Sequence, residues 1–108
     1  MVSLKKLQKG VIQNKINHGF NTTDLTQEFC LAYGELGEAY MALLKNKPDY
    51  GEELADVAIY LLGIAEISGI DLEKEIINKM EKNSKRVYKK NEKGILIKEE
   101  ETNENRKK

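Results

Sequence analysis

Two acidic pairs constrain this chain more than any other feature of its sequence. Glu35-x-x-Glu38 and Glu53-x-x-Asp56 are each spaced i, i+3, and fourteen residues separate them. On a helix, residues at i and i+3 share a face, with Cβ atoms about 5–6 Å apart. Two helices that reverse direction around Lys47-Pro48 would be antiparallel neighbours, with the acidic pairs facing each other. Like charges about 4 Å apart repel by roughly 1–4 kcal/mol per pair, depending on the local dielectric. A fold that gathers four carboxylates in this way calls for a cation, and hard oxygen ligands select Mg²⁺, Mn²⁺ or Ca²⁺.

The remaining pattern is helical. Leu4, Leu7, Val11 and Ile12 recur at helical spacing in residues 2–17, with lysines on the other face. Gly19 is placed to stop this helix, and Asn21 to Asp24 supply candidates for capping the next. A second helix is expected from about Asp24 to Lys45, with a core stripe of Leu25, Phe29, Ala32, Leu36, Ala39 and Leu43. Glu28, Glu35 and Glu38 lie on a separate face of it. Gly34 and Gly37 would cost this helix about 2 kcal/mol together relative to Ala, which points to close packing or ligand approach. Asn46 to Tyr50 forms the turn, and Asp49 followed by Glu52 resembles a capping box. The third helix runs to about Ser68 and stops at Gly69. It is apolar nearly all round, which points to burial on several sides and to a homo-oligomer. A fourth helix, capped by Asp71, is expected from Leu72 to about Lys90, with Leu72, Ile76, Met80 and Val87 as its core stripe. Its Lys79, Asn83 and Arg86 form a separate row that could bind phosphate oxygens. The expected organisation is a helical domain over 1–92. Over 93–108 the apolar island Gly94 to Ile97 reads as a strand or a clip onto the bundle, and a disordered charged tail is expected after it.

Net charge is zero, but its layout is not uniform. Residues 1–23 carry four lysines and no acid, residues 24–75 carry twelve acids and three lysines, and residues 76–108 carry eleven Lys/Arg and six Glu. An acidic centre between basic ends is not the basic stripe of a nucleic-acid binder. It suits a cation site beside groups that hold an anionic ligand. The N-terminus lacks an apolar signal segment, and no apolar run approaches the ~20 residues of a membrane span. The one cysteine, Cys30, lies in an apolar run and reads as a small buried hydrophobe in a reducing cytoplasm. Zinc is poorly served by one Cys and one His. The Glu-x-x-His pairs of di-iron bundles and the alternating loop acids of EF-hands are absent. Carboxylates on helices suit Mg²⁺, which keeps its waters and binds substrate phosphates.

Three segments, in order, carry a resemblance to a known family. Glu35-x-x-Glu38 with Glu53-x-x-Asp56 resembles the ExxE…ExxD signature of the all-α nucleoside triphosphate pyrophosphohydrolases, the MazG-like and dCTP pyrophosphatase-like proteins. Gly34-Glu35-Leu36-Gly37-Glu38 is similar to the GEVGE form of that signature. Glu52 to Leu61 looks like the family's third helix, and Lys79 to Arg86 with Tyr88 looks like its KMxxNxxR ending. The resemblance spans about residues 18–90. It implies an oligomeric all-α four-helix bundle, a homodimer or homotetramer. It also implies Mg²⁺-dependent hydrolysis (Mn²⁺ being possible) of a nucleoside triphosphate to the monophosphate and pyrophosphate. By matching position, it implies Glu35, Glu38, Glu53 and Asp56 as metal ligands. For such a hydrolysis a carboxylate must hold the attacking water and accept its proton, and Glu38 or Glu35 is expected to do so as the catalytic base. Tyr60 and Asn83 would line the nucleotide site, Lys79 and Arg86 would meet phosphates, and Phe20 and His18 would approach the base. Two features depart from the family pattern. The first position of its EExxE variant is Gly34 here, so any role of that extra Glu is missing or falls to Glu28, and the base-binding tryptophans are absent. The runner-up reading is a non-catalytic oligomeric helical module that binds a nucleotide or a partner. A related phosphoribosyl-ATP hydrolase ranks lower, because Leu61 follows Tyr60 where those enzymes carry a His.

Overall fold

The computed structural model describes residues 2–98. It contains four helices, α1 (Leu4–His18), α2 (Leu25–Leu44), α3 (Tyr50–Ile67) and α4 (Leu72–Ser84), followed by two short strands, β1 (Tyr88–Lys90) and β2 (Leu96–Lys98). The chain divides into two compact units, one ending at Glu75 and one beginning at Ile76. Among the described residues, no helix is long and apolar enough to cross a membrane.

In the first unit the helix ends follow from local chemistry. Ser3 Oγ accepts from the Lys6 amide, and Asp24 Oδ1 from the Gln27 amide, so α1 and α2 start on side-chain caps. Gly19 ends α1 in the left-handed region at φ 72°, where the Phe20 amide can return to the Lys15 carbonyl. Asn46 takes the same role after α2 at φ 53°, with the Lys47 amide reaching the Ala42 carbonyl. Asp71 caps α4 through the Lys74 amide, as the sequence indicated. The expected Asp49 capping box does not form. Asp49 is the N-cap of α3, but its backbone sits at φ −91°, ψ 11°, away from the extended geometry that aims a side chain at the helix amides. Its Oδ1 is instead buried without a partner.

Of the stripe expected on α2, Ala32 and Ala39 are buried, but its larger residues are not. α3 packs on both α1 and α2. The face of α2 that is removed from solvent carries Glu28, Ala32, Ala39 and Ala42, with half-buried Glu35 on the same line. Phe29, Leu36 and Leu43 stay about half exposed. Alanines let the α2 and α3 backbones approach closely, and leucines on that face would hold them apart. Cys30 lies off this face and is exposed, not buried as expected. On α3 the buried residues are four in a row, Leu62, Gly63, Ile64 and Ala65. Four consecutive positions cover the whole circumference, so this turn is enclosed on all sides.

Gln8, buried on α1, fastens the far end of the unit. Its Nε2 donates to Glu66 Oε1 (3.0 Å) and to the Ile70 carbonyl (2.6 Å), and its Oε1 accepts from the Leu72 amide (3.2 Å). Glu73 Oε1 returns the contact by accepting from the Leu4 amide at the start of α1 (3.0 Å).

In the second unit α4 ends at Ser84 and not near Lys90. The Lys85 and Arg86 amides fall back on the carbonyls three residues earlier, Lys82 and Asn83, which tightens the last turn and closes the helix. The chain then enters an antiparallel hairpin with Tyr88 opposite Lys98 and Lys90 opposite Leu96. Gly94 makes the turn at φ 80°, and Asn91 Oδ1 accepts from the Lys93 and Ile95 amides. The apolar clip around Ile95–Ile97 is therefore largely a strand. Ile76 and Met80 of α4, and Val87 beyond its end, are exposed and do not form the expected core within this unit, while Leu72, in the first unit, is half-buried. Part of one helix and a two-stranded hairpin are too small to enclose a side chain. The charged tail expected from Glu99 lies outside the described residues.

Replacing Gln8 with Leu fills the same space but strands the Ile70 carbonyl and the Leu72 amide. The expected cost is about 2–4 kcal/mol of unfolding free energy, read by denaturant titration.

Candidate functional site

α2 and α3 are joined by the short turn at residues 45–49 and pack face to face, so the acids of one helix meet those of the other. One ligand oxygen from each of Glu35, Glu38 and Glu53 lies within 4.8 Å of the other two. Asp56 is exposed and stands outside this group of three, yet close enough for its charge to act on Glu35 and Glu53. Glu53 occupies the first turn of α3, where the positive end of the helix dipole favours a carboxylate.

Crowding of charge shows in the titration of these groups. Burial, then the charges of Glu38, Asp56 and Glu53, push the Glu35 carboxyl above its ordinary value. Burial, then Glu38, Asp49 and Asp56, push Glu53 up as well, with Lys47 pulling the other way. Glu35 Oε2 is buried with no hydrogen-bond partner. A buried carboxylate oxygen without a donor is costly, and a cation removes that cost. Three converging hard oxygens, beside a buried Glu35 oxygen that lacks a donor, fit a divalent ion of the Mg²⁺ or Mn²⁺ type.

Tyr60 lies one turn beyond Asp56 and is half-buried. Burial and the charges of Glu35, Glu28, Asp56 and Glu38 raise its phenol, which keeps its proton and stays a hydrogen-bond donor. His18 and Phe20 flank Gly19 between α1 and α2, with ring centroids 5.4 Å apart and planes 21° from parallel. Phe20 is largely exposed. Beside the acids, Leu36, Ala39, Tyr40 and Leu43 of α2 and Tyr50 and Leu54 of α3 line an open apolar groove. A Cβ added at Gly34 or Gly37 would meet nothing within 4 Å, so contacts among the described residues do not account for the two glycines. Lys79 and Asn83, one turn apart and exposed on α4, belong to the second unit, as does half-buried Arg86 beyond the end of the helix.

Two residues near the acids, Asp49 and Lys15, carry no functional reading in the sequence, whereas Glu28 is the position to which the role of the glutamate missing at Gly34 could fall. Asp49, a cap by its spacing, is an additional half-buried acid beside Glu53, with its Oδ1 buried. Glu28, seven residues before Glu35 on the same face of α2, is fully buried, and Lys15 of α1 pairs with it. The spacing of Glu28 was a visible signal. Lys15 gave none, since a lysine among the polar residues of α1 reads as solvated.

The sequence matches no known family profile and no curated protein. Among solved structures, the chain resembles a MazG-like pyrophosphohydrolase of cyanophage S-2L, with a TM-score of 0.69. The chain has a MazG-like fold. The similarity covers 93% of this chain and 100% of the other, at 21% identity. The phage protein was solved with dGDP and three catalytic Mn²⁺ ions per active site. The all-α architecture implied by the sequence resemblance is therefore the observed one.

Raised carboxyl groups make the stability of the metal-free MazG-like fold depend on pH. A carboxyl whose folded pKa exceeds its unfolded value binds more protons when folded, so stability rises as pH falls through the folded pKa and levels off below the unfolded one. Thermal melts in EDTA are expected to show a melting temperature that climbs from pH 7 towards the ordinary carboxylate range. Glu35→Gln should melt higher than the parent at pH 7 and show a shallower rise.

Proposed function

We propose that the protein is a nucleoside triphosphate pyrophosphohydrolase that uses Mg²⁺ or Mn²⁺ and releases a nucleoside monophosphate and pyrophosphate. The observation that carries this reading is the convergence of Glu35, Glu38 and Glu53 within 4.8 Å, with one buried Glu35 oxygen unsatisfied. The MazG-like fold, seen with dGDP and Mn²⁺ in the phage protein, supports it.

Glu35, Glu38, Glu53 and Asp56 would hold the metal. Bound divalent ions neutralise a triphosphate and lower the pKa of a bound water. Glu38 is exposed at the mouth of the cluster, where a carboxylate oxygen can hold a water and accept its proton as that water attacks the α-phosphorus. The half-buried Glu35 is the second candidate for this role. The protonated Tyr60 phenol donates a hydrogen bond to the nucleotide. Phe20, backed by His18, offers a flat apolar face on which a base can stack. On the KMxxNxxR resemblance, Lys79 and Arg86 are assigned to phosphate oxygens and Asn83 to the nucleotide.

The working form is proposed to be a homodimer or homotetramer. Leu36, Tyr40, Leu43 and Leu54 are each about half exposed or more around one groove, beside two glycines that leave the α2 surface open. A contiguous apolar surface of this kind is costly to leave in water. Light scattering is expected to return two or four times the 12.3 kDa chain mass.

Pyrophosphate release from a panel of canonical and modified nucleoside triphosphates tests the activity. Release is expected with Mg²⁺ or Mn²⁺ and not with EDTA. Glu38→Gln should lower kcat by about a hundredfold or more while circular dichroism stays unchanged. A wild-type rate would remove Glu38 from the chemistry. Absence of release from the folded parent with any of the panel would reject the enzyme.

A further inference from the structure

Glu28 is the most deeply buried of the large side chains described, at 1% exposure, and the mechanism above does not use it. The side chain of its partner Lys15 is only 12% exposed. Buried ion pairs seldom add net stability, because desolvation offsets the attraction, and well-packed apolar residues commonly do as well. What the pair touches is more informative.

Lys15 Nζ lies 5.7 Å from the centroid of the Tyr60 ring, within reach of a cation–π interaction. Its stem runs past Gly63, where a Cβ would come within 3.3 Å of Lys15 Cε and 3.4 Å of Val11 Cγ1. A glycine in the middle of α3 costs about 1 kcal/mol relative to Ala, and the passage of Lys15 gives a physical reason for it. The second carboxylate oxygen of Glu28 accepts from Asn21 Nδ2 at 3.1 Å. Asn21 in turn organises the start of α2. Its Nδ2 donates to the Asp24 carbonyl (2.9 Å), and its Oδ1 accepts from the Thr23 and Asp24 amides (3.3 and 3.0 Å). Phe20 is the residue before Asn21, and its amide donates to the carbonyl of Lys15 itself. Side chains and backbone of one pair thus connect the Phe20 turn, the Tyr60 ring and the α2 face that carries Glu35.

We propose that Lys15 and Glu28 are positioning residues for the nucleoside end of the substrate, holding Phe20 and Tyr60 in fixed register with the acidic cluster. This inference rests on the pyrophosphohydrolase reading, with Phe20 and Tyr60 lining the nucleotide site. The pair replaces the freedom of a turn and a ring with one geometry, so the base and sugar meet a preformed surface. It does not touch the metal-binding carboxylates, so the phosphate end should not depend on it.

The test is a comparison of two ligands in the parent and in Lys15→Met/Glu28→Met, a variant that substitutes flexible apolar chains for the pair. For the best nucleoside triphosphate of the panel, KM and kcat are measured with Mg²⁺. For inorganic pyrophosphate, which has no nucleoside end, the inhibition constant is measured in the same assay. The expected result is a melting temperature close to the parent's, a nucleotide KM raised by about tenfold or more, and a pyrophosphate constant unchanged within about twofold. An unchanged KM would overturn the proposal. So would a parallel rise of both constants, which would make the pair a general strut of the fold. Should the double variant not fold, Glu28→Gln removes the charge pairing with little change of shape, and the same split decides. Failure of the parent to release pyrophosphate would reject the pyrophosphohydrolase reading, and this proposal with it. Release by the parent with no split in the variant would reject the pair alone.

Discussion

Carboxylates on the facing surfaces of two helices repel each other, and the rest of the first unit has to hold those helices together regardless. Glu35 and Glu38 on α2 confront Glu53 on α3 with three oxygens inside 4.8 Å, and Asp49 and Asp56 add to the same field. Burial and mutual repulsion both raise the Glu35 and Glu53 carboxyls, the direction expected where like charges are gathered. Opposing it are the alanines of α2, which bring its backbone close to α3, and the fully enclosed turn Leu62–Ala65. The first-turn position of Glu53 and the nearby Lys47 offset part of the charge.

α1 contributes at both of its ends. Near its start, Gln8 satisfies the chain reversal between α3 and α4 with three hydrogen bonds. Near its finish, Lys15 enters between α2 and α3 beside Gly63, pairs with Glu28 and sits by the Tyr60 ring. The acidic face of α2 is therefore not one site but two regions. Glu35 and Glu38 face other acids and suit an external cation, whereas Glu28 has a cation supplied by the protein. A single helical face is divided in its charge surroundings by where one lysine lies.

Turning the alanine and glutamate line of α2 inward leaves its leucine and aromatic line facing out. Leu36, Tyr40 and Leu43, with Tyr50 and Leu54 of α3, then border a groove that nothing within the unit fills. One orientation of α2 links these facts, because its acids point at α3. The apolar stripe beside them is thereby freed for contacts with another chain, in keeping with the proposed oligomer. The open surfaces at Gly34 and Gly37 belong to the same outward side of the problem.

Much of this was legible in the sequence, because it depends on interactions within a turn or two of chain. Helical spacing marked α1, α2 and α3, Gly19 and Gly69 stopped helices where left-handed backbone was needed, and Asp24 and Asp71 capped the helices that follow them. The i, i+3 acids identified a candidate cation site, and their order along the chain carried the family resemblance that the fold matches. What local spacing leaves open is which neighbouring stripe of a helix faces inward, since Ala32–Ala39 and Phe29–Leu36–Leu43 both fit an apolar face. Only α3 packed against α2 decides for the alanines. The exposure of Cys30, the unpartnered Asp49 and the early end of α4 at a hairpin likewise depend on contacts that periodicity does not encode. The sequence by itself determined an all-helical chain with a paired-acid motif. The tertiary structure decided that Lys15, twenty residues from Glu35, would enter the same helical interface, because a buried charge is settled by whichever opposite charge the packing brings within reach.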